Sequence, residues 1–277
     1  MLALLAQGAT GADENKAGSR DTIVWAVLDF PPFQILDGEY RGSGSFDGLN
    51  DLLIREMPGV DHEKIPMSFS RREDEMRRGQ PLCTPGIFRT PTREGYMVFS
   101  APALVHLDNR LVYLANRAGR FPPGAVLDLE ELLKKRTDLV GGVVSGRSFA
   151  PNIDVVLRRQ ASQPNLKMRA TQSAQIVDQL LKGEIDYTIL FPHEAAFIER
   201  QLGRPGILAT RPILGTPPYI VTHVACTRGP WGDRMIAGVN NVLRRHAGTA
   251  EYRGLSERWL TGADQALIRT YYPQALR

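Results

Sequence analysis

Phe88–Pro102 reads FRTPTREGYMVFSAP. Arg89 and Arg93 flank Thr90-Pro91 just ahead of an apolar run. Proline pushes the preceding threonine out of helical geometry, so a loop or a first helical turn presents both arginines. Such a turn offers a planar, permanently charged fork to a carboxylate or a phosphate. Thr-Pro-x-Arg alone also occurs among solvated basic residues, so the flanking sequence has to decide.

Working outward toward the N-terminus, Thr22–Leu28 (TIVWAVL) is a continuous apolar, β-branched run, the pattern of a strand covered on both faces. Asp29-Phe30-Pro31-Pro32-Phe33 ends it, because two prolines cannot continue a ladder. Gly42–Gly48 (GSGSFDG) lacks the third glycine of a dinucleotide fingerprint and has Asp47 in its place. Leu49, Leu52, Leu53 and Met57 then recur at helical spacing until Pro58-Gly59. Lys64–Phe69 reads as a second strand. Ser70 and Glu73 read as the capping box of a charged helix running to Arg78, whose charges are expected to be solvated. A strand from Cys83 to Phe88 leads into the arginine turn.

The ordered series of Asp29-Phe30-Pro31-Pro32-Phe33, Gly44-Ser45-Phe46-Asp47-Gly48 before an amphipathic helix, and Thr90-Pro91-Thr92-Arg93 before Val98-Phe99-Ser100 resembles the extracellular solute-binding proteins of family 3. Order and spacing carry the resemblance, which runs through nearly the whole chain after about residue 21. It implies the type II periplasmic binding fold: two α/β lobes, each a mostly parallel sheet flanked by helices, joined by two crossover segments. The expected division is residues 1–20 as a signal-peptide remnant or disordered tail, 21–103 with 222–277 as a discontinuous first lobe, and 104–221 as the second. The matching aromatic turn of the family lines the ligand cleft, which implies Phe30 and Phe33 there; Phe33 as a core plug beneath the turn is the alternative.

In the second half, Asp128 and Glu131 cap a helix carrying Leu129, Leu132 and Leu133. Gly141–Ser148 spells Gly-x-x-x-x-Gly-Arg-Ser, one residue from a phosphate-binding loop. Arginine in place of the lysine, and two valines where free amides must wrap phosphate, exclude that function. A strand over Leu139–Val144 that turns at Gly146 into a helix N-terminus fits better, with Ser148 and the following amides receptive to an anion and Arg147 beside them. The resembled family has a similar turn here that contacts the ligand carboxylate. A strand beginning at Gly183 ends near Phe191-Pro192. Amino-acid-binding members carry an acid for the ligand amino group at the position of Phe191, so the resemblance is to a divergent member, with Glu194 as the nearby substitute. Pro212–Pro218 is the expected second crossing, and helices around Trp231–Leu243 and Tyr252–Trp259 read as core packing.

The chain has 277 residues and a net charge of +4, with arginines scattered and not striped, so nucleic-acid binding is not implied. No run approaches a membrane span. Met1–Ala12 is a short apolar run ending in small residues, like a secretory signal without its basic start, and Asp13–Arg20 is polar. Cys83 and Cys226 are the two cysteines. They form a disulfide or two buried thiols; the oxidising compartment of the secretory reading favours the bridge. His62, His106, His193, His223 and His246 show no metal-ligand spacing, and no nucleophile elbow or zinc motif occurs.

The expectation is therefore a monomeric periplasmic protein without cofactor or metal. It closes over a small anionic or zwitterionic molecule and hands it to an ABC permease. The ligand residues expected are Arg93, which takes the carboxylate, with Arg89, Thr90, Phe30, Phe33, Arg147, Ser148, Phe191 and Glu194. Alternatives are a sensor presenting occupancy to a signalling partner and a periplasmic dehydratase or lyase using Glu194, His193 or Asp29 as acid or base. The effector domain of a cytoplasmic regulator also fits the fold, but no DNA-binding helix pair precedes it.

Overall fold

A computed structural model describes residues 20–276. The expected leader lies outside them, apart from Arg20. The chain opens with β1 (Thr22–Val27), α1 (Ser45–Glu56), β2 (Asp61–Pro66), α2 (Phe69–Arg77), β3 (Leu82–Ile87), α3 (Pro91–Glu94), β4 (Met97–Phe99) and β5 (Leu104–Leu107). It continues with β6 (Arg110–Leu114), a 3-10 turn over Ala115–Arg120, α4 (Leu129–Lys135), β7 (Gly141–Val144), α5 (Pro151–Arg159), β8 (Leu166–Arg169), α6 (Ser173–Lys182), β9 (Tyr187–Leu190), α7 (Pro192–Gln201) and β10 (Leu208–Pro212). It closes with β11 (Tyr219–Thr227), α8 (Pro230–His246), α9 (Ala250–Glu257) and α10 (Gly262–Ala275).

The strands make two sheets. The first runs β2-β1-β3-β11-β4, with β5 also on β11; the second runs β10-β6-β9-β7-β8. The nine residues of β11 serve three neighbours, the first half pairing with β5 and the rest with β3 on one side and β4 on the other. The chain thus passes between the sheets at 108–109 and again at 213–218, the proline-rich segment, so 104–107 and 219–221, which the expected division put in the second lobe, lie with the first sheet. Parallel pairing, expected to dominate, is confined to β1 with β2 and β3 and to β7 with β8 and β9. The strands next to the crossings run antiparallel, because a strand returning from the other sheet enters from the opposite end.

The first sheet is sealed by helices, of which α1 and α8 were legible from their apolar spacing and α10 was not. Leu49 and Leu53 of α1 are wholly buried, as are Val239 of α8 and Ile268 of α10, around Ile23 and Trp25 of β1. Burying such side chains contributes about 1.5–3 kcal/mol each. The entry to α1 depends on Gly44: a β-carbon there would lie 2.3 Å from the Phe33 carbonyl oxygen. Asp47 then accepts from the Gly44 and Ile35 amides. Cys83 and Cys226 face each other across β3 and β11 and form the disulfide, with Cα atoms 4.0 Å apart and a sequence separation of 143.

Two local readings change. Ser68, not Ser70, caps α2, accepting from the Arg71 amide. The helix is also not fully solvated: Arg72 and Met76 are buried, and Glu73 is held by the Arg72 guanidinium at 2.7 Å and by the Tyr96 hydroxyl. A charged residue can face inward when its partner is adjacent, and composition alone does not reveal that partner. Likewise, α5 begins at Pro151, three residues beyond Ser148.

Candidate functional site

The face of the first sheet toward the second is built by the turn after β1. Gln34 accepts from the Leu28 amide at 2.8 Å and fixes the turn, which presents Phe30 and Phe33 with rings 5.1 Å apart. Phe33 is buried and Phe30 half-buried. Nearby, Thr90 caps α3 by accepting from the Arg93 amide. The Arg93 side chain donates to the Phe88 carbonyl at 3.0 Å and pairs with Glu73 at 3.0 Å, while Arg89 pairs with Glu94 at the surface. Burial works against the charge of Glu73, but the Tyr96 hydroxyl, Arg72 and Arg93 outweigh it and hold the carboxyl below its ordinary range.

The opposing face comes from the β7–α5 loop and the start of α7. Glu194 sits in the first turn of α7, where its carboxylate accepts from the Phe191 amide at 2.9 Å, as a helix N-terminus favours. Arg147 grips it with both terminal nitrogens, at 2.8 and 2.6 Å. Ser173 donates to Glu194 at 2.6 Å, and Asn109 accepts from Arg147 at 3.2 Å. The Glu194 side chain is 1% exposed and that of Arg147 12%. The guanidinium lies 5.0 Å from the Phe149 ring centre, 5.2 Å from Phe191 and 5.7 Å from Phe30, the last reaching over from the first sheet. Ser148 donates to Asp154 at 2.6 Å, and the Phe149 amide donates to the same carboxylate.

Between these faces the seam is filled by rings. Phe33 lies 5.3 Å from Phe191 and 5.4 Å from His193, and His193 lies 5.3 Å from His106. His193 meets the Ser256 carbonyl at 3.2 Å. Burial lowers both imidazoles, His106 well below its ordinary value and His193 to about 4. Toward the rim, Arg110 of β6 pairs with Asp264 of α10 at 2.8 Å, and Trp259 packs on Tyr40 and Phe197. An open groove of about 680 Å³ there is lined by Ser43, Arg200, Glu257, Arg258, Trp259 and Gln265, none of them an expected ligand residue.

Of the expected residues, Phe30, Phe33, Arg147, Phe191 and Glu194 converge at the seam. Arg93, Arg89 and Thr90 stay on the first sheet's own flank, connected to Phe30 through Glu73, Arg72 and Phe69. Ser148 is turned to Asp154. The residues that complete the cluster without being foreseen are Asn109, Ser173 and His106. Asn109 sits in the crossing, where Asp108-Asn109 interrupts two apolar runs, and that was the available signal. Among the described residues no group of three or more His, Cys, Asp or Glu side chains is placed to hold a metal ion, and no helix is long and apolar enough to cross a membrane.

No protein-family model matches the chain, and no curated protein matches it. Solved structures do. The chain is similar to a histidine kinase sensor domain described as having similarity to periplasmic binding proteins, at 18% identity and a TM-score of 0.64, over 87% of this chain and 96% of that one. It is similar to an ancestral cationic amino acid solute-binding protein, at 19% identity and a TM-score of 0.65, with the same coverage of 87% and 96%. It is also similar to the periplasmic VFT2 domain of BvgS from Bordetella pertussis, at 20% identity and a TM-score of 0.61, over 86% and 93% of the two chains. These likenesses establish the fold, the two-lobed type II periplasmic binding architecture that the resemblance implied.

Proposed function

We propose that this chain is an extracytoplasmic solute-binding module that takes a small zwitterion or carboxylate between Arg147 and Glu194 and presents the occupied clamp to a membrane partner, a permease or a sensor. What supports the reading is the pair itself: a guanidinium and a carboxylate buried at the seam of a two-lobed fold, boxed by aromatic rings from both lobes. A zwitterion inserted between them puts its carboxylate on Arg147 and its ammonium on Glu194, so two buried charges exchange partners and neither is left alone. That matters because stripping one member of a buried pair costs about 3–5 kcal/mol. The role first expected of Arg93 passes to Arg147, since Arg93 is held by Glu73 on one lobe whereas Arg147 touches both.

Of the groups the enzyme reading would use, Glu194 is doubly bound by Arg147 and His193 meets the Ser256 carbonyl, while Asp29 is exposed and accepts from the Leu36 amide at 3.4 Å. Titration calorimetry with a panel of free amino acids and short carboxylates tests the proposal. Arg147→Ala and Glu194→Gln are each expected to weaken the best ligand by at least about 2 kcal/mol, roughly 30-fold, the loss typical of a charge-assisted contact. Undiminished affinity in both variants would remove the site from this pair.

A further inference from the structure

We propose that the seam is a proton-operated latch: His106 of the first lobe and His193 of the second meet across it, and protonation of either ring drives the lobes apart. The inference goes beyond solute binding and does not depend on it. The two rings lie 5.3 Å apart at 70° to one another, and each residue is 1% exposed. The ring contacts of His193 all come from the first lobe: Phe33, His106 and the Ser256 carbonyl. His106 meets Thr222 Oγ1 through Nε2 at 3.3 Å and lies edge-on to Phe33 and Phe46. Nδ1 of both rings is buried without a hydrogen-bond partner.

A neutral imidazole tolerates such a place, with one nitrogen bonded and the other idle. An imidazolium does not, because both nitrogens then donate and a buried unpaired donor carries its full desolvation cost. The surrounding charges do not relieve it. Asp264 and Glu194 favour a charged His193 and Arg110 opposes it, but Asp264 is bound by Arg110 and Glu194 by Arg147. For His106 the opposing charge is that of His193 itself. Asp108, two residues along in the crossing, has its carboxyl raised to about 6 by burial and is not among the charges that act on either ring.

The sign follows from linkage. The closed-state value of His193 is about 4, against an ordinary 6.5 once the ring is wet, so the open form binds more protons between these values. Closure is fully favoured above about pH 6.5 and is lost as pH falls toward about 4, by up to ~300-fold in the closed-to-open ratio for His193 alone. Because its ring partners sit on the other lobe, parting the lobes hydrates His193 without unfolding either sheet.

Small-angle scattering of the solute-free chain from about pH 8 to about pH 4.5, with far-UV circular dichroism on the same samples, tests this. The wild type is expected to expand within that window while keeping its secondary structure, and His106→Gln/His193→Gln is expected to stay compact. An unchanged wild-type radius, expansion with loss of the far-UV signal, or a double variant that expands at the same midpoint would each overturn the latch. Should the double variant not fold, the imidazole NMR shifts of the wild type decide. Titration of both rings together with the expansion supports the latch, and titration near 6.5 in the compact state refutes it. No added solute is involved, so failure here leaves the Arg147–Glu194 reading standing, and the calorimetric result leaves this one standing.

Discussion

The fold brings a carboxylate of the chain itself to each of two arginines, Arg93, which was expected to take the ligand carboxylate, and Arg147, which was expected to stand beside the Ser148 turn. Glu73 comes to Arg93 from α2 on the same lobe, and Glu194 comes to Arg147 from α7 at the seam. A partner 47 residues away leaves no local trace at the arginine, so the sequence could not show that Arg147, and not Arg93, lies at the seam. Asp108 shows the same dependence on context. Its Oδ2 is buried without a partner, and burial raises its carboxyl to about 6. A raised acid binds its proton more tightly when folded, so it destabilises the fold above about pH 6, and this penalty fades as pH falls through the unfolded value of 3.8. Asp108→Asn keeps the oxygen that accepts from the Asn109 amide. Chemical denaturation is expected to show it about 1–3 kcal/mol more stable than wild type at neutral pH, with the gap closing below about pH 4; a gap that persists in acid would assign the effect to something other than the charge.

At the scale of elements, periodicity and punctuation carried most of the reading. β1 was legible because an unbroken β-branched run has one economical home, the middle of a sheet covered on both faces. In the observed sheet it lies between β2 and β3. α2 was misread because its inward residues are Arg72 and Met76, and an arginine in a helical pattern looks outward until its partner is known. The disulfide belongs to this scale too. It ties β3 to β11 inside one sheet, and the 143-residue span it closes contains the entire second sheet. In the chain-entropy model such a loop is worth about 5 kcal/mol. Cys83→Ser/Cys226→Ser is expected to lower the stability of the oxidised protein by about 3–5 kcal/mol in a denaturant melt, and adding reductant should then change only the wild type. Equal melts for the two proteins without reductant would mean that the bridge adds nothing.

For the whole molecule, the decisive feature is that the lobes share a core. Phe191, from the second lobe, is buried within the apolar cluster of the first. Phe33 stands at the centre, with Phe30, Phe46 and His106 from its own lobe and Phe191 and His193 from the other around its ring. Phe33→Ala is expected to cost about 3–5 kcal/mol of stability. Because two of its five ring contacts cross the seam, it should also enlarge the radius of gyration at neutral pH. A variant that is destabilised but as compact as wild type would show that the seam is held elsewhere, at Arg110–Asp264 or around Trp259.

The sequence by itself determined most of the elements, though not α7, β10 or α10, together with their alternation and the family likeness, because strand and helix periods and turn residues are local properties that a chain writes in order. It also marked Phe30, Phe33, Arg147, Phe191 and Glu194 as residues of one cleft, through the resemblance and its spacing. Only the tertiary structure decided which charge neutralises which, that Ser148 turns to Asp154, and that two histidines 87 positions apart in the chain meet across the seam. Those outcomes depend on burial and on partners brought from distant segments, and both exist only once the lobes have folded against each other.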